Sequence, residues 1–155
     1  MQSIPHTATK FSFQIKVLDG DLNKENSQIF IGLTENCKPQ GPPGIVEGSL
    51  AYASSEANQG HILQNGEMTE ECPAIQVGDV VACKVEYMKE KNEIVAKCEF
   101  TRNGDAVGKL QRLKCSKLFP TIAATISGVK FDTSIDFREF EFSLGIYNKI
   151  DNTTR

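Results

Sequence analysis

The chain has 155 residues, a length that suits one domain with a core of its own. Seventeen lysines and arginines stand against twenty aspartates and glutamates, and the net charge of -3 comes without a basic run, which argues against a nucleic-acid partner. No apolar run approaches the ~18 residues of a membrane span, and residues 1–10 lack the apolar core of a signal peptide, so we expect a cytoplasmic protein without membrane contact.

Short strand-like segments separated by turn residues recur along the whole chain, and no helical period is sustained. In chain order the predicted strands are Phe11–Leu18, Ile29–Thr34, Ser49–Ala53, Val80–Met88, Glu93–Thr101, Ala106–Leu110, Phe119–Thr125 and Val129–Ile135. The stretches between them are predicted as loops, including Ser54–Asp79 and Gln111–Lys117. This pattern predicts an all-β fold, an antiparallel β-sandwich of two sheets.

The clearest hairpin signal lies at Glu93–Leu110, where apolar and polar residues alternate up to Thr101. Asn103-Gly104 then supplies a turn of type I′, because both central positions need a positive φ that asparagine tolerates and glycine adopts freely. A second, charged hairpin loop is predicted at Met88–Glu93.

Five cysteines lie at positions 37, 72, 83, 98 and 115, and no two of them form a C-x-x-C pair. Cys83 and Cys98 fall on apolar strand faces, where a thiol behaves as a small hydrophobe. We therefore expect buried, reduced thiols in preference to disulfides.

One loop begins like a calcium site, with Asp19, Asp21 and Asn23. Lys24 and Phe30 stand where that site needs glycine and glutamate, so a solvated hairpin turn is the favoured interpretation.

Catalytic candidates are equally weak. His6 and His61 are the two histidines, and no nucleophile motif lies beside His61. Asp79 follows Gly78 directly before a strand, a position typical of a turn-setting carboxylate. We expect no enzyme activity, no catalytic residue, no metal and no cofactor.

Five segments in a fixed order resemble the motifs of SPRY domains. They are PGIVEGSLAY at 43–52, GHILQNG at 60–66, GDVVAC at 78–83, EFTRNG at 99–104 and LFPTI at 118–122. Each motif alone is ordinary turn-and-strand chemistry, but five of them in the right order and spacing are improbable by accident. With an opening strand at Phe11–Leu18 and a closing segment at Val129–Phe142, the resemblance covers residues 11–142, flanked by extensions at 1–10 and 143–155.

The chain departs from the family pattern in having no tryptophan. Ile45 and Leu50 stand where SPRY domains usually have indoles, and Leu63 stands where they often have tyrosine. Apolar bulk is retained at all three positions, so we expect the fold to be retained.

The resemblance implies a non-catalytic protein–protein interaction module that recognises a peptide or protein surface through loops at one end of a concanavalin-like β-sandwich. Carried over by position, the partner-binding residues are Thr34, Glu35, Leu63, Thr125, Ile126, Ser127 and Gly128. Leu63 and Ile126 are apolar residues in polar loops, which suits them as anchors, or equally as plugs at the end of the core. The module is expected to be a monomer, alone or within a larger protein.

Two other functions have weaker support in the sequence. A carbohydrate-binding, lectin-like domain shares the sandwich architecture, but the chain lacks a tryptophan platform and a convincing calcium loop. A small hydrolase lacks a candidate base.

Overall fold

The structure is a computed structural model. It describes residues 10–20, 22, 27–36, 38–55, 59–115, 117–125 and 129–136. This described part of the chain contains ten strands. They are β1 (Lys10–Asp19), β2 (Gln28–Thr34), β3 (Ser49–Ser55), β4 (Gln59–Gln64), β5 (Glu67–Cys72), β6 (Val80–Glu90), β7 (Glu93–Arg102), β8 (Asp105–Lys114), β9 (Phe119–Ala124) and β10 (Lys130–Asp136).

The strands form two five-stranded sheets, in the orders β10-β1-β6-β7-β8 and β5-β4-β3-β2-β9. Every strand pair within them is antiparallel. The predicted fold class, an all-β antiparallel sandwich, is confirmed. Among the described residues, no helix is long and apolar enough to cross a membrane.

The core lies between the sheets and follows the period-two alternation of the strands. In β1, Phe11, Phe13, Ile15 and Val17 are buried, while the residues between them are more exposed. The opposite sheet contributes the buried side chains of β2 and β3. Tyr52 of β3 and Phe100 of β7 meet across the interface, with ring centroids 6.1 Å apart in an edge-to-face arrangement that aromatic pairs prefer.

Two hairpins have the predicted turns. Asn103 and Gly104 have φ values of 53° and 91° and join β7 to β8. Lys91 and Asn92, with φ values of 48° and 67°, join β6 to β7 inside the predicted charged loop. Both turns have the positive φ values of type I′ geometry, which matches the twist of the strands that they connect.

Three loop predictions were wrong. Ser54–Asp79 was predicted as a loop but contains β4 and β5, and β8 continues through Lys114 into the predicted loop at Gln111–Lys117. β5 has the mostly polar sequence EMTEEC, which suits an edge strand. This sequence lacks the apolar alternation that predicts a strand. The segment after Asp19 is not a hairpin turn, because β1 and β2 belong to different sheets; Asp21 and Asn23 lie outside the described residues.

The predicted burial of Cys83 and Cys98 is confirmed, since both thiols lie in the core with no exposed surface. Cys72 and Cys115 are half-buried, and all four are free thiols. Cys37 lies outside the described residues.

The Asn103-Gly104 turn leads to a stability prediction. A Cβ on Gly104 would meet no atom within 4 Å, so a side chain there is disfavoured by φ alone and not by crowding. We expect Gly104→Val to lower the free energy of unfolding by about 1 kcal/mol or more. Asp105→Val is the control, because this exposed neighbour lies in a strand, where valine is favoured. Equal urea midpoints for Gly104→Val and the wild type would contradict the turn assignment.

Candidate functional site

Thr34 and Glu35 lie where β2 ends, and they differ in accessibility. Thr34 is 1% exposed; its Oγ1 donates to the Asn36 carbonyl at 2.9 Å and lies 3.2 Å from Thr121 Oγ1. Glu35 is exposed, and its N–H donates to the Gly48 carbonyl at 3.0 Å. Thr34 therefore fixes the start of the loop, and Glu35 is the member of the pair that can contact a partner.

The loop between β2 and β3 is held against the β4–β5 turn by a small hydrogen-bond network. Asn65 Oδ1 accepts from the Gly48 N–H at 2.7 Å, and the Asn65 N–H donates to the Ser49 carbonyl at 3.1 Å. The Gly66 N–H donates to the Gly44 carbonyl at 2.8 Å, and Ser49 Oγ accepts from the Gly44 N–H at 2.8 Å. These bonds join two segments distant in sequence into one surface.

Leu63 lies on the outer face of its sheet, opposite Ala51 in the β3–β4 register. It is half-buried and packs with Phe30, Ala51 and Ala53 in a cluster separate from the main core. A Cβ built on Gly44 would lie only 2.9 Å from Leu63 Cβ, so the loop backbone passes directly over this side chain. Part of Leu63 therefore fills the outer cluster and part remains accessible beside the loop.

The structure places Thr125 at the other end of β2. The Gln28 N–H donates to Thr125 Oγ1 at 2.8 Å, and the Thr125 N–H donates to the Gln28 carbonyl at 3.0 Å. Because β2 has seven residues, Thr125 and Thr34 lie about 20 Å apart along the strand.

The expectation that the partner-binding residues lie in loops at one end of the sandwich does not hold for Thr34 and Thr125, which lie at opposite ends of β2. β9 runs antiparallel to β2, so the last residue of β9 lies beside the start of β2. The structure brings together Thr34, Glu35 and Leu63, while Ile126, Ser127 and Gly128 lie outside the described residues.

The thiols of the described chain are poorly suited to nucleophilic chemistry. Burial raises the pKa of Cys115 to about 11; a backbone hydrogen bond at Lys117 lowers this pKa, and the nearby Glu35 carboxylate raises it. Burial also raises the pKa of Cys98 to about 12. Because the thiolate is the reactive form, both groups stay protonated and unreactive near neutral pH.

Among the described residues, no group of three or more histidine, cysteine, aspartate or glutamate side chains could hold a metal ion. His61 is partly buried between Ala53 and Glu71 in the register, and its Nδ1 makes no hydrogen bond. The groups that this surface exposes are carboxylates, backbone groups and apolar side chains.

Two exposed apolar residues beside this surface were not among the predicted site residues. Ile45, in the loop before β3, is 46% exposed, and Met68 of β5 is 54% exposed. Met68 was missed because its segment was predicted as a loop. Asn65-Gly66, with φ values of 52° and 86°, carries the same turn signal as Asn103-Gly104 and could have revealed the β4–β5 hairpin.

No protein-family model matches the chain. The chain is 25% identical over 140 residues to the Ran-binding proteins 9/10 homolog of Drosophila melanogaster, a match that covers 90% of this chain but only 13% of that protein.

Two solved structures resemble the fold. A crystal structure of a human SPRY domain aligns with a TM-score of 0.58 and 16% identity, covering 91% of this chain and 83% of that one. The SPRY domain of human HERC1 aligns with a TM-score of 0.60 and 15% identity, covering 87% of this chain and 79% of that one. The order of the five sequence motifs and the two-sheet architecture agree with these matches, and the chain has the fold of a SPRY domain.

Proposed function

We propose that this chain is a non-catalytic protein–protein interaction module that recognises a peptide or protein surface through its loops. The SPRY fold supports this role, since the sequence resemblance implies it. The Drosophila relative, of which the chain spans 13%, is itself named for binding Ran, which is consistent with a protein partner here. The cytoplasmic location remains a prediction of the sequence.

The observation that carries the proposal is the rigid surface around Glu35 and Leu63. The loop before β3 and the β4–β5 turn are joined by backbone and asparagine hydrogen bonds, so their exposed groups are held in place before any partner arrives. A preformed surface loses little conformational entropy on binding. Glu35 and Leu63 are the proposed primary contacts. Thr125, at the opposite end of β2, is a proposed second contact, and Ile126, Ser127 and Gly128, which lie outside the described residues, stay predicted contacts.

The direct test is to identify a partner and then reconstitute the complex from purified proteins. The immobilised chain is used to capture proteins from a cell extract, and each candidate is purified and tested for saturable binding to the isolated chain. A glycan array is probed in parallel with the same preparation. Saturable binding of a purified protein supports the proposal, whereas glycan binding without any protein partner would favour the lectin-like alternative.

A substitution at Leu63 tests whether the partner binds at this site. We expect Leu63→Asp to weaken binding of the reconstituted partner by about ten-fold or more, because a half-buried apolar contact is lost. The variant should still melt cooperatively, since Leu63 lies outside the main core.

Phe100→Asp is the matched control in the main core, where the side chain is 1% exposed. An unpaired buried carboxylate costs several kcal/mol and should prevent folding. If Leu63→Asp also fails to melt cooperatively, Leu63 is a structural plug and not a contact residue.

A further inference from the structure

An exposed apolar patch lies at the β4–β5 turn, formed by Ile45, Leu63 and Met68. The register of β4 and β5 shifts between Ile62 and Leu63, so Thr69 is an extra residue and Met68 lies directly opposite Leu63. Met68 and Leu63 therefore share the outer face of the sheet. Ile45 joins them through the loop, because its carbonyl oxygen would lie 3.2 Å from a Cβ built on Gly66.

The backbone turn at Gly44 holds Ile45 outward in this patch, whereas Leu63 is packed against the outer cluster. Gly44 has φ 87° and lies against Leu63 and Ala51, which leaves Ile45 at the outside of the turn. Ile45 and Met68 are about half exposed, although both are residue types that are usually buried. A rigidly presented group of apolar side chains is typical of a contact surface.

The charges on the two segments that carry the patch are one-sided. Glu35, Glu47 and Glu67 are exposed, and each lies beside a residue of the loop–turn network: Glu35 bonds Gly48, Glu47 precedes it, and Glu67 follows Gly66. The described residues of the two segments 34–49 and 59–72 contain five glutamates and one lysine. Glu70 is occupied elsewhere, since it accepts the Lys109 N–H of β8 at 2.7 Å.

We infer that this patch binds a peptide segment that presents a large apolar side chain flanked by lysine or arginine. The apolar side chain covers Ile45, Leu63 and Met68, and the flanking cations face Glu35, Glu47 and Glu67. This inference rests on the proposed binding function and adds to it the chemistry of the partner and two contact residues, Ile45 and Met68. Charge complementarity of this kind favours encounter and selects against acidic segments.

The inference is tested with synthetic, fluorescein-labelled peptide pools and fluorescence anisotropy. One pool has a fixed central leucine or phenylalanine with lysine- and arginine-rich flanks. A second has the same centre with aspartate- and glutamate-rich flanks, and a third has the basic flanks with glycine and serine at the centre. We expect the first pool to bind tightest, and its binding to weaken with added salt, because exposed charge pairs are screened.

Substitutions in the patch then test whether the first peptide pool binds there. Ile45→Ser combined with Met68→Thr should weaken binding of the first pool by about ten-fold. The matched control is Leu110→Thr, because Leu110 is 55% exposed on β8 of the other sheet. Charge reversal by Glu47→Lys with Glu67→Lys should abolish the preference for basic flanks. Asp105→Lys with Asp132→Lys makes the same change in net charge at exposed positions of the other sheet and should leave the preference intact.

The outcomes separate this inference from the broader proposal. Preference for the acidic pool, or equal loss in Leu110→Thr, overturns the inference even when a protein partner has been reconstituted. No binding by any pool also overturns it, since a basic–apolar segment would then be insufficient. The interaction role itself fails only if no purified protein binds the isolated chain. All variants are first checked for wild-type melting.

Discussion

Gly32→Ala is expected to destabilise the domain by about 3 kcal/mol or more, the upper end of what an added core methyl costs. Gly32 lies in β2, between β3 and β9, where it pairs with Ala51 and Thr121. A Cβ at this position would lie 1.9 Å from the Leu50 carbonyl oxygen and 2.7 Å from Ala51 Cα. Both atoms belong to the backbone of the neighbouring strand, so no side-chain rotation can relieve the overlap. The two central strands would have to separate.

The measurement is urea unfolding followed by intrinsic tyrosine fluorescence and by circular dichroism. Gly41→Ala is the control: a Cβ there would meet only the Val46 side chain at 3.1 Å, and Gly41 lies in a loop. We expect a small change for this control and a large fall in the urea midpoint for Gly32→Ala. Equal midpoints for the two variants would show that β2 and β3 are not as close as the structure places them. Because Gly32 is two residues before Thr34, its loss should also disturb the Glu35 loop.

The sequence pattern identified the strands that are rich in apolar residues, and it missed β4 and β5 although Asn65-Gly66 marks the turn between them. β1 and β7 alternate clearly and were predicted within one residue at each end. β5 is mostly polar, as suits an edge strand, with Met68 and Cys72 as its apolar members, and β4 was missed with it. The alternation of apolar and polar residues reflects the burial of one face of a strand. A strand that is mostly exposed therefore gives no such signal.

The site was predicted less well than the fold, for two physical reasons. The separation of Thr125 from Thr34 depends on which strands pair, and pairing is a long-range property that no local pattern contains. Exposure is the second reason. Ile45 and Leu50 both replace family indoles, yet Leu50 is fully buried and Ile45 is half exposed. The difference comes from the turn at Gly44, and its geometry is set by Ser49, Leu63 and Gly66.

Asp79 is the second position where a large effect is expected, and its predicted role as a turn-setting carboxylate is confirmed. Its Oδ2 accepts the Gln76 N–H and Arg102 Nε–H, each at 2.9 Å, and its Oδ1 accepts Asn103 Nδ2–H at 2.9 Å. Asn103 in turn bonds Val80 through both its backbone N–H and its side-chain oxygen. One carboxylate thus ties the start of β6 to the β7–β8 turn.

The Asp79 carboxyl also gives the stability of the domain a pH dependence. Burial alone raises its pKa, but the hydrogen bonds from Asn103, Gln76 and Arg102, together with the Arg102 charge, outweigh burial and hold the pKa below its ordinary value of 3.8. A carboxyl whose pKa is lower in the folded state than in the unfolded state stabilises the fold above the unfolded pKa. That stabilisation is lost as the pH falls through the folded pKa.

We expect Asp79→Asn to lower the free energy of unfolding by about 2 kcal/mol at neutral pH, since charge-assisted hydrogen bonds are lost and an amide NH₂ is placed against one of the donors. The difference from the wild type should begin to shrink below about pH 4, where the unfolded chain takes up a proton at Asp79, and should keep shrinking until the pH reaches the lower folded pKa. Urea unfolding at a series of pH values measures this difference in the free energy of unfolding. The control is Asp105→Asn, because Asp105 is exposed. A difference that stays constant into strong acid would mean that the shape of the Asp79 side chain, and not its charge, holds the turn to β6.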